Sequence, residues 1–337
     1  MDFYVRSTDG ALELLPAPEP LRSGWPWTSK IPKPTLWTKH NNINIQWPRI
    51  SIVTPSLNQG QFIEATIRSV LLQNYPNLEY IVVDGCSVDG SQSILRKYKN
   101  FLTYSITEAD HGQADAINKG FSYATGEIFG WLNSDDMLLP NALQHIGLAF
   151  MQRADTKVIY GFRKVVDTEG QLLRTGIFWL PDVAVLQREP LIPQETVYWR
   201  REVWDKLGPL NTDFHFAMDY EYWQRMLRSG YNFELLPYFL GAFRLHPDSK
   251  TVAQGDVRQR DLDIIHQQYL GKTIGPAEID QDLGAEYEHI KQLVKELNHI
   301  FLFKSRYTAA LILHTLAIPL LAKPVLLLHR WYRIFRK

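Results

Sequence analysis

Between residues 49 and 151, apolar runs alternate with helical stretches across short polar connections, and this alternation restricts the fold more than any other feature of the chain. The runs at 50–53, 80–83, 102–106 and 128–132 have the length of buried strands. The stretches at 62–72, 91–98, 113–123 and 142–151 read as helices. Strand and helix in strict succession predict an α/β fold with a mostly parallel sheet covered by helices. Beyond residue 158 the alternation loosens. Two β-rich runs, 158–166 and 172–177, flank Asp167-Thr168-Glu169-Gly170, which predicts a hairpin and hence an antiparallel part of a mixed sheet.

Open α/β sheets bind ligands beyond the carboxyl ends of their parallel strands, so the residues after each run matter most. Thr54-Pro55-Ser56-Leu57-Asn58 follows the first run, and Asp84 to Ser91 follows the second. Glu108 to Gln113 follows the third, and Asn133-Ser134-Asp135-Asp136 follows the fourth. One rim thus receives Asp84, Asp89, Asp110, Asp135 and Asp136. Clustered carboxylates repel one another unless a cation or hydrogen-bond donors join them. Oxygen ligands select Mg²⁺ or Mn²⁺, which share their shell with substrate phosphates. Asp89, ahead of Gly90-Ser91, reads equally well as a helix cap. For the adjacent pair Asp135-Asp136 the cap reading is weaker, because two unpaired acids after a buried strand are costly.

These motifs, in this order, resemble the family 2 glycosyltransferases of the GT-A fold over residues 48–250. Ile52 to Asn58 resembles the opening strand and loop of that family. Val83-Asp84-Gly85-Cys86-Ser87-Val88-Asp89-Gly90-Ser91 resembles its second-strand motif, and Glu108 to Gly120, then Ala124 to Glu127, the segment running into its metal motif at Ser134-Asp135-Asp136. The resemblance implies inverting transfer from a nucleotide-diphosphate sugar, most commonly a UDP-sugar, to a hydroxyl of a glycan or lipid-linked acceptor. It further implies that Thr54, Pro55 and Ser56 line the nucleoside pocket and that Asp84 hydrogen-bonds the base. Asp110, Gly112, Gln113 and Asn118 would lie along the nucleotide. Asp135 would lie near the ribose or sugar, with Asp136 as the direct metal ligand. The family places acids on both sides of one residue, whereas Ser134 stands at the first position here, which leaves the number of ligands open.

In the second half, Phe216 to Arg225 passes from a loop into a helix. By the resemblance Asp219 matches the second acid of the family's pair, the general base, while Met218 replaces the first. Glu221, two residues on, points to another helix face. Asp219 alone could equally be a cap. Phe243-Arg244-Leu245-His246-Pro247-Asp248-Ser249-Lys250-Thr251 resembles a late segment in which His246 completes the metal shell and Arg244 and Lys250 face the diphosphate. Gln194-Glu195 borders the acceptor pocket or a plain surface loop.

Residues 1–48 are dense in Pro and Trp and read as an extended arm that packs its tryptophans onto the domain at 49–255; residues 256–300 read as polar helix. From 301 to 337 there are Lys304, Arg306, Lys323, Arg330, Arg333, Arg336 and Lys337 and no acid. Apolar surface interleaved with basic and aromatic residues predicts a helical, membrane-associated extension, held peripherally or monotopically at the cytoplasmic face. A core helix with a basic solvent tail is the other reading. The single cysteine, Cys86, allows no intrachain disulfide and fits a reducing compartment, and equal numbers of basic and acidic residues, 36 of each, give no reason to expect a nucleic-acid partner. Two rival functions make distinct demands. A nucleotidyltransferase calls for a basic glycine-rich loop after the first strand, where Pro55 to Gly60 carries no Lys or Arg. A silent membrane scaffold or glycan-binding relative predicts decay of the acids, yet Asp84, Asp136 and Asp219 are present.

Overall fold

The computed structural model describes residues 3–8, 14–18, 22–29, 31, 33–38, 44–176, 183–253, 255–275 and 278. The basic segment 301–337, with its expected membrane association, lies outside the described residues, as does nearly all of 276–300. The chain forms two compact units. One comprises Met1–Phe178 with Pro190–Thr273, the other Trp179–Glu189 with Ile274–Lys337. Among the described residues, the second unit contains one short helix. No helix among the described residues is long and apolar enough to cross a membrane.

Among the described residues the N-terminal arm contains paired strands. Strands β1 (Phe3–Thr8), β2 (Lys33–Thr38) and β3 (Asn44–Ile45) pair into an antiparallel sheet of their own. Pro34 is tolerated because β3 pairs only with Leu36 and Trp37, so the proline faces no second ladder. The arm is then anchored by a fully buried arginine. Arg68 donates to the carbonyls of Pro16 (2.7 Å), Pro26 (3.1 Å) and Trp27 (2.9 Å) and to the Tyr98 hydroxyl, with its guanidinium over the Trp27 ring. Every donor so used is a donor not left unpaired in the interior. Trp25 donates to the Leu138 carbonyl, and Trp47 packs edge-on against Tyr75.

The central sheet begins with β4 (Ile50–Ser56), then α1 (Ile63–Leu71), β5 (Leu78–Asp84), α2 (Ser91–Tyr98), β6 (Tyr104–Thr107), α3 (Gln113–Tyr123), β7 (Ile128–Trp131), β8 (Met137–Leu138) and α4 (Ala142–Gln152). Strands β4, β5, β6 and β7 are parallel, in the spatial order β6-β5-β4-β7. β4 is buried along its whole length, as expected of a strand covered on both faces. Register aligns the strand ends: Ser56 lies opposite Asp84, and Asp84 opposite Thr107. The loops at 57–62, 85–90, 108–112 and 132–136 therefore emerge on one rim.

The rest of the sheet comes from β9 (Val158–Val166), β10 (Leu172–Gly176), β11 (Tyr198–Arg200) and β12 (Phe233–Arg244). The hairpin of β9 and β10 forms around the 167–170 turn, where the Asp167 side chain accepts the amides of Glu169 and Gln171. Three-residue β11 joins the two halves, antiparallel to both β7 and β9, while β12 runs parallel to β9 and antiparallel to β8. The sheet is accordingly mixed. The 16-residue α9 (Gly255–Leu270) belongs to the same unit as the sheet, after α5 (Val183–Leu186), α6 (Arg201–Leu207), α7 (Met218–Arg228) and α8 (Lys250–Ala253).

Candidate active site

A cavity of about 760 Å³ opens over the rim of the sheet, walled on one side by the strand-end loops and on the other by β9, β10, the 190–195 segment, the start of α7, and α8 with α9. Pro55, Ser56, Asp110, Gly112, Gln113, Asp135, Asp136, Asp219 and Lys250 all line it. The first wall starts with Ser56, whose buried hydroxyl has no protein partner. Thr54 is fully buried one layer below, its hydroxyl on the Tyr80 hydroxyl. Asp84 closes β5 and accepts both the amide and the hydroxyl of Ser87, and Ser87 in turn accepts the Asn58 amide, so the first two loops are tied together. Asp89 stands one residue before Gly90, the capping position of α2, and accepts the Ser91 amide and hydroxyl at the entry to the helix and the Gly60 amide across the loop.

Asp110 accepts the Gly112 amide at 2.9 Å, and Gly112 at φ +114° occupies a conformation that a side chain would strain. Gly85 faces Asp110 so closely that a Cβ there would come within 2.5 Å of the carboxylate. Gln113 donates to Asn133 (2.6 Å), Asn133 to Gln194 (3.1 Å), and Gln194 to the Trp131 carbonyl (2.9 Å), a run of amides linking the two walls. No motif reading identifies Asn133 as part of it. Asn118 does not lie along this surface. Its carboxamide donates to and accepts from the Leu210 backbone, which corrects its expected nucleotide contact to a scaffold role.

Asp136 is buried, and its carboxylate accepts the Arg244 amide at 2.9 Å. Burial first, then the neighbouring charges of Asp135 and Glu195, push its carboxyl well above the usual carboxylate range. Burial and like charge favour the protonated form of such a group, and a cation beside it would favour the carboxylate. Thr66 of α1 donates its hydroxyl to the carbonyls of both Ser134 and Asp136, fixing the turn. Asp135 faces the buried His246, with its Oδ2 3.0 Å from His246 Nε2. That contact makes His246 the partner of an acid in this structure. Among the described residues no three His, Cys, Asp or Glu side chains form a metal cage. A divalent ion fits here only with Asp136 as its main protein anchor and further oxygens from phosphate and water. Arg244 is a second correction. Its guanidinium is buried over Phe62 and donates to the carbonyls of Asp135, Asp167 and Thr168, so it clamps the acidic turn from behind rather than facing a diphosphate.

On the opposite wall, Glu195 is almost fully buried and takes a two-pronged pairing from Arg163, which also lies over the Phe243 ring. Asp219, in the first turn of α7, is partly buried, and loss of hydration raises its carboxyl to about 6 in spite of Arg163 and Lys250 nearby. Glu221 takes no part in the cavity: it is buried against Arg225 and accepts the Tyr269 hydroxyl at 2.7 Å. Lys250 donates to the His215 carbonyl, and burial lowers its ammonium. Asp248, Arg174 and Arg258 complete the charged lining, and neither arginine is marked by a motif.

Residues 51–216 match the family model described as Glycosyl transferase family 2. A glycosyltransferase of Rickettsia felis, named only as uncharacterized, is 28% identical over 204 residues, covering 56% of this chain and 33% of that protein. A chondroitin synthase of Pasteurella multocida is 24% identical over 231 residues, covering 67% and 23%. The chain thus spans well under two thirds of the length of these relatives. Among solved structures, S. aureus TarS 1–349 in complex with UDP-GlcNAc superposes with a TM-score of 0.50 at 19% identity, covering 70% of each chain. The mannosyltransferase PcManGT of Pyrobaculum calidifontis, in complex with GDP-Man and Mn²⁺, gives 0.51 at 20% identity, covering 87% of this chain and 81% of its own. At these identities the structures speak for the fold, which is the mixed sheet with flanking helices described above. Taken with the ordered strand-end motifs, these matches show that the chain belongs to the family 2 glycosyltransferases.

Proposed function

We propose that the protein moves a sugar, with inversion, from a nucleotide-diphosphate sugar to a hydroxyl of a glycan or lipid-linked acceptor in polysaccharide or glycoconjugate synthesis. One observation carries the reading. A carboxylate with its proton affinity raised to about 6, Asp219, shares a single cavity with the acidic turn Asp135-Asp136 on the facing wall. A general base works best when its affinity lies near the working pH, and Asp219 meets that condition without a histidine. It removes the acceptor proton as the oxygen attacks the anomeric carbon, and the nucleoside diphosphate leaves from the opposite side of the sugar.

On the donor wall, Ser56, Asp110, Gly112 and Gln113 receive the nucleotide, and Asp135 faces ribose or sugar. Asp136 would hold Mg²⁺ or Mn²⁺, which when bound would supply positive charge to offset that of the diphosphate. Uridine is the base we assign, in keeping with the ligand of TarS; the GDP-Man bound to PcManGT makes guanosine the control. Segment 301–337, with seven basic residues and no acid, is the part we assign to attachment at the cytoplasmic membrane face. Its removal should release the protein from anionic vesicles while nucleotide binding persists.

A thermal-shift panel of UDP-, GDP- and dTDP-sugars with and without Mn²⁺ or Mg²⁺ tests the donor assignment, because a ligand that binds only the folded state raises its stability. Stabilisation by a UDP-sugar that depends on the metal is the expected result. A panel without any shift, accompanied by no hydrolysis of any of these sugars, would sink the proposal.

A further inference from the structure

The base of the proposed reaction stands in the first turn of a helix whose capping position carries no side-chain acceptor, and its own carboxylate takes the Tyr220 amide, at 2.8 Å. α7 begins at Met218, and the capping position is Ala217, whose side chain offers no hydrogen bond. The amides at the start of a helix have no partner within it and need an acceptor from outside. Here the acceptor arrives from α9. Asp261, buried, places Oδ2 2.8 Å from the Phe216 amide and 3.1 Å from the Ala217 amide. A carboxylate at this end also meets the favourable end of the helix dipole.

The same stretch of chain makes further contacts along α7. Tyr220 and His266 approach to 3.3 Å between the hydroxyl and Nε2, the Tyr269 hydroxyl donates to Glu221, and Arg228 donates to the Tyr269 carbonyl. Asp261, Leu262, Ile265 and His266 are all buried, so α9 presents one continuous face. From α8, Lys250 donates to the His215 carbonyl at 2.7 Å. The short loop 215–217 is thereby held at three successive residues by side chains that follow β12, and this loop delivers Phe216, Ala217, Met218 and Asp219 to the cavity wall.

We propose that Asp261 is a positioning residue for sugar transfer, fixing the 215–217 loop so that Asp219 reaches the acceptor hydroxyl. This rests on the reading of Asp219 as the base. It concerns a residue beyond the stretch matched by the family model, which ends at residue 216. Asp261 touches two backbone amides and no wall residue of the donor side, so its influence falls on turnover and not on donor capture.

The test is a graded series. Asp261→Ala removes the acceptor, whereas Asp261→Asn keeps the shape with a weaker, uncharged carbonyl oxygen. With the full-length protein and the nucleotide sugar selected by the binding panel, Asp261→Ala should lower kcat by about 10- to 100-fold, the scale of a misplaced catalytic group, and Asp261→Asn by less. Donor KM and metal-dependent nucleotide binding should stay at wild-type values in both. Amide exchange of the 214–219 segment should speed up more in Asp261→Ala than in Asp261→Asn, while the 50–56 strand stays protected. A kcat unchanged in both variants, or a donor KM that rises in step with the loss of kcat, would overturn the inference. If Asp261→Ala does not fold, Asp261→Asn carries the same comparison. If the wild-type protein turns over no nucleotide sugar, the reading of Asp219 has failed, and exchange then decides the brace alone: unchanged exchange at 214–219 in Asp261→Asn refutes it.

Discussion

The two walls of the cavity hold their acids by different means. On the wall we assign to the donor, Asp84 and Asp110 close a strand or the loop just after it and are held by near neighbours in sequence, Ser87 and Gly112, while Asp135 is the exception, facing His246 across 111 residues. On the facing wall, which we assign to the acceptor, the partners are far apart in the chain: Glu195 meets Arg163 across 32 residues, and the loop before Asp219 is held by Asp261 across 44 and 45. The lesson is that the donor wall is made by local turns on a parallel sheet, while the acceptor wall exists only once the late helices have packed. Asp136 joins the two styles. It ends the fourth strand-end motif, yet its carboxylate is held by the Arg244 amide 108 residues away.

The largest effect expected from this comparison is at that junction. Asp136→Asn should abolish metal-dependent transfer and weaken donor binding together, with the fold kept, since the amide can still accept the Arg244 N–H and the site lies on a loop. Donor affinity that ignores both this substitution and a chelator would remove Asp136 from the metal. Next comes the opposite wall. Asp219→Asn should cut turnover by about 10²- to 10⁴-fold, the usual contribution of a general base, with donor affinity intact. If donor affinity fell as well, the separation into two walls would be wrong.

How far these walls were legible in sequence follows from the same difference. Alternation of 50–53, 80–83 and 128–132 with helical stretches predicts a parallel core because burial on both faces leaves continuous apolar runs, and the acids after each run mark the rim. β11 is invisible to that logic: three residues, Tyr198-Trp199-Arg200, cannot show a period, though they join the halves of the sheet. β12 hides for another reason, since Pro237 and two register shifts interrupt a 12-residue strand. Motif resemblance sent Arg244 and Asn118 to the ligand because it records position along the chain and not the direction of a side chain. Asp261 carried no signal at all; a carboxylate in a polar helix is ordinary until the helix N-terminus it serves is in view.

A smaller effect tests the electrostatics of the acceptor wall. As the proposed base, Asp219 would act only when ionised, and burial raises its carboxyl to about 6. The kcat/KM of the free enzyme should therefore rise with pH and level off above this value, a limb absent from donor binding. The stability sign is opposite. A carboxyl raised on folding binds its proton more tightly in the native state, so its contribution to stability is lost as pH climbs from the unfolded value near 4 through 6. Asp219→Asn should abolish that loss along with the kinetic limb. A wild-type limb near 4 would mean that the acceptor wall is wetter than its packing indicates.

The smallest effect is expected at Asn118, where the two walls are easiest to confuse by sequence. Its place in α3, five residues after Gln113, resembles a nucleotide contact, yet both ends of its carboxamide are engaged with the Leu210 backbone, the carbonyl at 2.9 Å and the amide at 2.8 Å. Leu210 belongs to the stretch that leads into α7, so Asn118 ties a donor-wall helix to the acceptor wall's approach. Removing the carboxamide leaves one backbone donor and one acceptor without their partner, a loss of about 1–3 kcal/mol where water cannot replace it. Asn118→Ala should accordingly lower the unfolding midpoint and leave donor KM unchanged, whereas Gln113→Ala, whose side chain lies in the cavity wall, should raise donor KM with little change in the midpoint. The opposite assignment of these two phenotypes would return Asn118 to the nucleotide and break the distinction between the walls at α3.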